Sequence, residues 1–85
     1  MIRIPTDRTP THPGEVLLED FLRPLHVSEH VLADSMHVSY HTVHEIIEGR
    51  LGISRSTALR LSRYFGTSTE FWTNLQLRHD LFEAQ

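Results

Sequence analysis

The sequence predicts an all-α domain of five helices built around a helix-turn-helix, on three observations. Residues 28–48, SEHVLADSMHVSYHTVHEIIE, hold two short amphipathic segments separated by the break His37-Val38-Ser39. Five stretches of helical periodicity are bounded by capping residues or breakers, and no segment of strand length alternates apolar with polar. Eighty-five residues, 39% of them apolar, suit one domain with one modest core. That domain is expected over residues 12–85, after an irregular arm over 1–11 that contains two prolines.

Each element has a local reason. HPGEVLLEDFLRPL opens the first helix, with Pro13 near its start and Glu15, Glu19 and Asp20 in its early turns, where carboxylates suit the helix dipole. Val16, Leu17, Phe21 and Leu22 supply its apolar face, and Pro24 is expected to end it. Ser28 is the expected N-cap of the second helix and Ser39 of the third. Val31, Leu32, Ala33 and Met36 face inward from the second, where Ala33 permits close approach of the third. Val43, Ile46 and Ile47 form one stripe on the third, opposite His41, His44, Glu45 and Glu48. Gly49 is placed to close that helix and Gly52 lies in the following loop. Ser54 or Ser56 caps a fourth helix carrying Ala58, Leu61 and Phe65, and Gly66 ends it. Thr67 with Glu70 fits a capping box for a fifth helix running to about residue 82.

Composition narrows the function. With no cysteine, disulfides, thiolate zinc sites and a cysteine nucleophile are excluded. The first residues lack the apolar run of a signal peptide and no stretch approaches membrane-spanning length, so no membrane association and a cytoplasmic location are expected. Eleven acids oppose eight bases, for a net charge of −3, which is unfavourable for a polyanion ligand taken as a total. The distribution is more informative. Residues 12–35 carry five acids against one base, Arg23, whereas residues 36–63 carry four bases against two acids, with three histidines. Every base is arginine, the side chain whose fork suits phosphate and guanine.

The third helix is therefore the candidate DNA reader. Tyr40, His41, Thr42 and His44 occupy its first two turns, the part that reaches base edges in helix-turn-helix docking. Ser39 sits at its start, and Arg50 just past its end is placed to grip phosphate. Ser28 and the amides at the start of the second helix are placed to hold another phosphate. Glu45 and Glu48 oppose this assignment unless they lie toward the groove exit or pair with Arg50.

Other chemistries fit less well. His37, His41 and His44 approach helical ligand spacing for zinc or nickel, but a closed zinc site wants a fourth ligand and no thiolate is present. No metal or other cofactor is expected. His44-Glu45 is followed by Ile-Ile-Glu, so the HExxH pattern fails at its last position, and no glycine elbow or phosphate loop surrounds the serines. The chain is not expected to be an enzyme. On the fifth helix, Phe71, Trp72, Leu75, Leu77 and Leu81 are either core or, in part, a self-complementary patch on a two-fold dimer.

The segments HPGEVLLEDFLRPLHVSEHVLADSMHVSYHTVHEIIEGRLGIS and STALRLSRYFGTSTEFWTNLQLRHDL together resemble the HigA antitoxin family of XRE-type, lambda-repressor-like regulators, also labelled virulence-associated protein I. The resemblance covers roughly residues 12–82. It implies an antitoxin that neutralises a HigB-type mRNA endonuclease and, as a homodimer, binds operator DNA to repress its own operon. The base-reading positions it implies are Ser39, Tyr40, His41, Thr42 and His44, with Arg50 at the family's basic position after the helix. A stand-alone repressor without a toxin is the alternative. The sequence departs from the family pattern at His37, where glycine is common because the backbone is left-handed, and at Leu51, where a second base is common.

Overall fold

The computed structural model describes residues 11–84; apart from Thr11, the expected N-terminal arm lies outside the described residues. Five helices and no strand are present among them. The first, α1, is continuous through three segments: Pro13–Val16, a π-helical stretch Leu17–Leu22, and Arg23–Leu25. It is followed by α2 (Glu29–Met36), α3 (Tyr40–Ile47), α4 (Arg55–Phe65) and α5 (Thr69–Glu83). No helix among the described residues is long and apolar enough to cross a membrane.

Hydroxyl caps start four of the five helices. Ser28, Ser39, Ser54 and Ser68 accept from the amides of Val31, Thr42, Thr57 and Phe71, at 3.1 to 3.2 Å. The cap of α5 is thus Ser68, not the expected Thr67. Thr67 is otherwise engaged, because its hydroxyl accepts the indole N–H of Trp72 at 2.8 Å. A fully buried indole needs such an acceptor, and the next residue is an equally good cap.

Pro24 does not end α1; the helix continues one residue beyond it. The reason is the π-helical stretch, in which the Arg23 N–H reaches back to Leu18. This wider turn relaxes the register in which a proline ring would meet the preceding carbonyls. The helix closes instead at His26, in the left-handed region at φ 57°, with Val27 N–H on the Leu22 carbonyl and His26 N–H on that of Arg23. The same two-bond closure ends α2 at His37, φ 58°, with Val38 bonded to Ala33 and His37 to Asp34. It ends α3 at Gly49, φ 80°. The left-handed backbone expected at His37 is present.

The core is one cluster, centred on Leu17, Leu32, Val43, Ile46, Leu61 and Trp72, each at most 1% exposed. Trp72 packs 5.0 Å from the Phe21 ring, which also meets Phe65 at 4.9 Å. At the other end of the core, α1 lies directly on α3. A Cβ at Gly14 would fall 1.8 Å from the Ile46 carbonyl oxygen and 2.7 Å from its carbon. Only glycine fits there, and the neighbouring Pro13 is buried as well.

Opposite glycine substitutions check these two features. Gly14→Ala is expected to lower stability by about 3 kcal/mol or more, at or above the upper end of overpacking costs. His37→Gly is expected to raise it by roughly 0.5–1 kcal/mol, through relief of a left-handed non-glycine residue. Urea denaturation measures both, and a stable Gly14→Ala protein contradicts the close approach.

Candidate nucleic-acid interface

The second and third helices form the helix-turn-helix, and their caps and packing determine which side chains remain on its outer face. Leu32, Ala33 and Met36 of α2 and Val43 and Ile46 of α3 are buried between the helices and the core, as their spacing predicts, whereas Val31, also expected to face inward, is 50% exposed on the outer side of α2. The 2% exposure of Ala33 matches its role at the close approach. What is left outside α3 is Tyr40, His41 and part of Thr42, His44 and Glu45.

The structure divides the expected reading residues into two sets. Ser39 and Thr42 belong to the cap: the Ser39 hydroxyl accepts the Thr42 N–H at 3.1 Å and the two hydroxyls lie 2.9 Å apart. One of these hydroxyls donates to the other, and the accepting one keeps its own O–H free to point outward. His41, exposed on the next position, points from the same turn. Tyr40 and His44 form a second set with two residues of α2 that periodicity did not single out, Glu29 and His30. Tyr40 stacks on His30, ring centroids 4.0 Å apart and 9° from parallel, and on His44 at 5.5 Å and 21°. His44 Nδ1 lies 3.0 Å from Glu29 Oε1 and 3.5 Å from the Tyr40 hydroxyl. The pair at 3.0 Å has Nδ1 donating to the carboxylate, which selects that tautomer or the imidazolium. Tyr40 and His44 thus join α3 to α2 across the turn, and their rings are partly used in doing so. No sequence signal marks this cluster, because its members are up to fifteen residues apart and meet only once the helices pack.

Two acids of the face are engaged, Glu29 with His44 and Glu45 with Arg50. Glu45 Oε2 lies 3.3 Å from the Arg50 guanidinium, the pairing anticipated for it. Glu48 lies instead 3.9 Å from His44 Nε2. Arg50 is exposed, and such surface pairs contribute at most about 1 kcal/mol. A phosphate can therefore displace Glu45 from it at little cost. Arg60, counted among the bases of this half, is committed elsewhere: it donates to the Met36 carbonyl and satisfies the open C-terminal end of α2. Ser28 is a cap whose hydroxyl holds Val31. Among the described residues no group of three or more histidines or carboxylates is arranged to hold a metal ion.

The dimer candidates on α5 also separate. Trp72 is 0% exposed and hydrogen-bonded within the core, so it contributes nothing to a surface patch. Leu75 is half-buried against the core. Phe71, at 38% exposed, leans on Trp72 and Phe21. Leu77 and Leu81, at 53% and 59%, are the two that stand out of the helix, one turn apart.

No family model matches the chain. Individual proteins do. The chain is 46% identical over 74 residues to virulence-associated protein I of Dichelobacter nodosus, covering 87% of this chain and 68% of that one. Among solved structures, the Pseudomonas aeruginosa antitoxin HigA with the higBA promoter superimposes with a TM-score of 0.86 and 45% identity, over 88% of this chain and 82% of that one. The chain belongs to the HigA antitoxin family. It is also 37% identical over 78 residues, covering 92% of this chain and 69% of that one, to an uncharacterized helix-turn-helix-type transcriptional regulator of Escherichia coli strain K12. On the outer face of the chain's helix-turn-helix, the Glu29–His44 bond joins α2 to α3.

His44→Ala is expected to cost roughly 0.5–1 kcal/mol in urea denaturation at neutral pH, since it leaves a half-buried Glu29 carboxylate without its donor. A variant as stable as the parent denies His44 this bracing role.

Proposed function

We propose that the protein is the antitoxin of a toxin–antitoxin pair, which binds its own operator as a homodimer and neutralises a HigB-type mRNA endonuclease. One observation carries the DNA-binding part: α3 presents its N-terminal face, with His41, Thr42 and the Ser39 cap, beside an exposed Arg50. A major groove accepts a helix in this orientation, and likeness to a HigA structure solved with its promoter supports the assignment. His41 and Thr42 read base edges in this proposal. Tyr40 and His44 brace the helix and offer a hydroxyl and an imidazole edge at its margin. Arg50 exchanges Glu45 for a phosphate, and the first amides of α2, beyond the Ser28 cap, hold another. A single such face is weakly basic, which favours a dimer that reads two half-sites about 34–36 Å apart. Leu77 and Leu81 are the proposed contact between copies, while Phe71 and Leu75, on a different side of α5, lean on the core. Base reading and phosphate holding require no catalysis, cofactor or membrane.

The second reading is a repressor with no toxin partner, favoured by the likeness to a relative named only as a transcriptional regulator. Co-expression of the chain with whatever small reading frame adjoins its gene separates the two. Rescue of growth and co-purification support the antitoxin, and an inert neighbour supports the stand-alone repressor.

On a duplex spanning the region just upstream of its own coding sequence, His41→Ala is expected to lose about 1–3 kcal/mol of affinity while binding to unrelated DNA hardly changes. Arg50→Ala should weaken both and reduce the slope of log affinity against log salt by about one. Fluorescence anisotropy at several salt concentrations measures both variants, and equal losses for His41→Ala on the two DNAs would remove it from base reading. Leu77→Glu with Leu81→Glu should give a monomer by sedimentation, and a persistent dimer places the contact elsewhere.

A further inference from the structure

A titratable group outside the helix-turn-helix sits where it can control the seat of α3. His12 caps α1 through its ring: Nδ1 accepts the Gly14 N–H at 2.9 Å. Only an imidazole without a proton on Nδ1 can do so. The ring stands edge-on to His79 of α5, centroids 4.8 Å apart and 79° from parallel. Gly14, the residue held by that cap, is the one pressed against the Ile46 carbonyl and Ile47 Cα of α3. The same stretch of α5 holds the loop that follows α3, because Gln76 Oε1 accepts the Ile53 N–H at 2.7 Å while its amide donates to Asp80 at 2.9 Å. The first turn of α1 is therefore clasped between α5 and the end of the proposed recognition helix.

We propose that His12 is a positioning residue for α3: its neutral ring, braced by His79, keeps Gly14 seated under Ile46, and protonation unseats that turn and weakens operator binding. The DNA consequence presupposes the operator binding proposed above; the mechanical part does not. A proton on Nδ1 would abolish the cap and place a cation at the positive end of a helix. The groups that face the ring are His79 and Asp80 of α5, with Glu83 behind His79 at 3.9 Å; Glu15 of α1 meets His12 through its backbone N–H on the His12 carbonyl. From α3 the contact at Gly14 is backbone. Burial lowers the pKa of His12 below 6.5, His79 lowers it further, and Asp80 opposes both. A folded value below the unfolded one means that the unfolded chain takes up the proton first. The stability this histidine supplies is thus complete above about 6.5 and is lost as the pH falls below it.

The test compares wild type with His12→Asn, whose side-chain oxygen can accept the Gly14 N–H at any pH, and with His12→Ala, which cannot. In an NMR titration of the free wild-type protein, the Gly14, Ile46 and Ile47 amide signals are expected to move together with the His12 ring, at a midpoint below 6.5. Ile46 and Ile47 signals that ignore the His12 transition would overturn the positioning role, whether or not the protein binds DNA. On the upstream duplex, the affinity of His12→Asn relative to wild type should rise about three- to tenfold from pH 7.5 to 5.5, with His12→Ala weak at both. A constant ratio would overturn the link to binding. Wild type that fails to bind the duplex at pH 7.5 counts instead against the operator proposal, and the NMR result still decides the clasp.

Discussion

The placement of α3 depends on a contact between two backbones. Gly14, in the first turn of α1, leaves no room for even a methyl group between itself and the Ile46 carbonyl. Side-chain packing can usually relax by rotamer changes, but two backbones in contact have no such freedom. The capped turn of α1 therefore acts as a rigid stop for the last turn of α3. The core then pulls the same helix inward through Val43 and Ile46, both essentially unexposed. A helix held by a stop at one end and an apolar stripe along its length presents a fixed polar face. That fixed face is what reading of a rigid duplex demands.

The face itself is a compromise between charge and architecture. Its carboxylates would repel DNA if they stood free, and two of them are engaged: Glu45 with Arg50, and Glu29 with the Nδ1 of His44. Some of the chemistry expected to touch bases is thereby used to hold α2 and α3 together. Tyr40, stacked on His30 and His44, braces the turn where it was expected to reach outward. The result is a weakly basic surface whose readers are few, and the α5 leucines offer the second copy that such a surface needs.

Much of this was legible because its causes are local. Serine caps, the glycine at the end of α3 and the 3.6-residue stripes depend on neighbours within one turn, so Ser28, Ser39 and Gly49 could be placed from spacing alone. The left-handed backbone at His37 was anticipated through the family resemblance, in which glycine is common at that position. Local rules failed where a distant group competed. Pro24 was read as a stop because proline usually is one, but the π-helical turn before it accommodates the ring. Thr67 was read as a cap because its spacing to Glu70 fits, but Trp72, buried by the remainder of the fold, claims its hydroxyl.

By itself the sequence determined five helices, their order, the break at residues 37–39 and the stripe that α3 turns inward, since each follows from propensity and period along one strand of chain. Only the tertiary structure decided which polar residues remain free. Glu29 meets His44 fifteen residues away, Arg60 reaches the end of α2, Trp72 leaves the surface, and His12 joins α1 to α5. These pairings depend on the angles at which helices cross, and no periodicity along the chain encodes them.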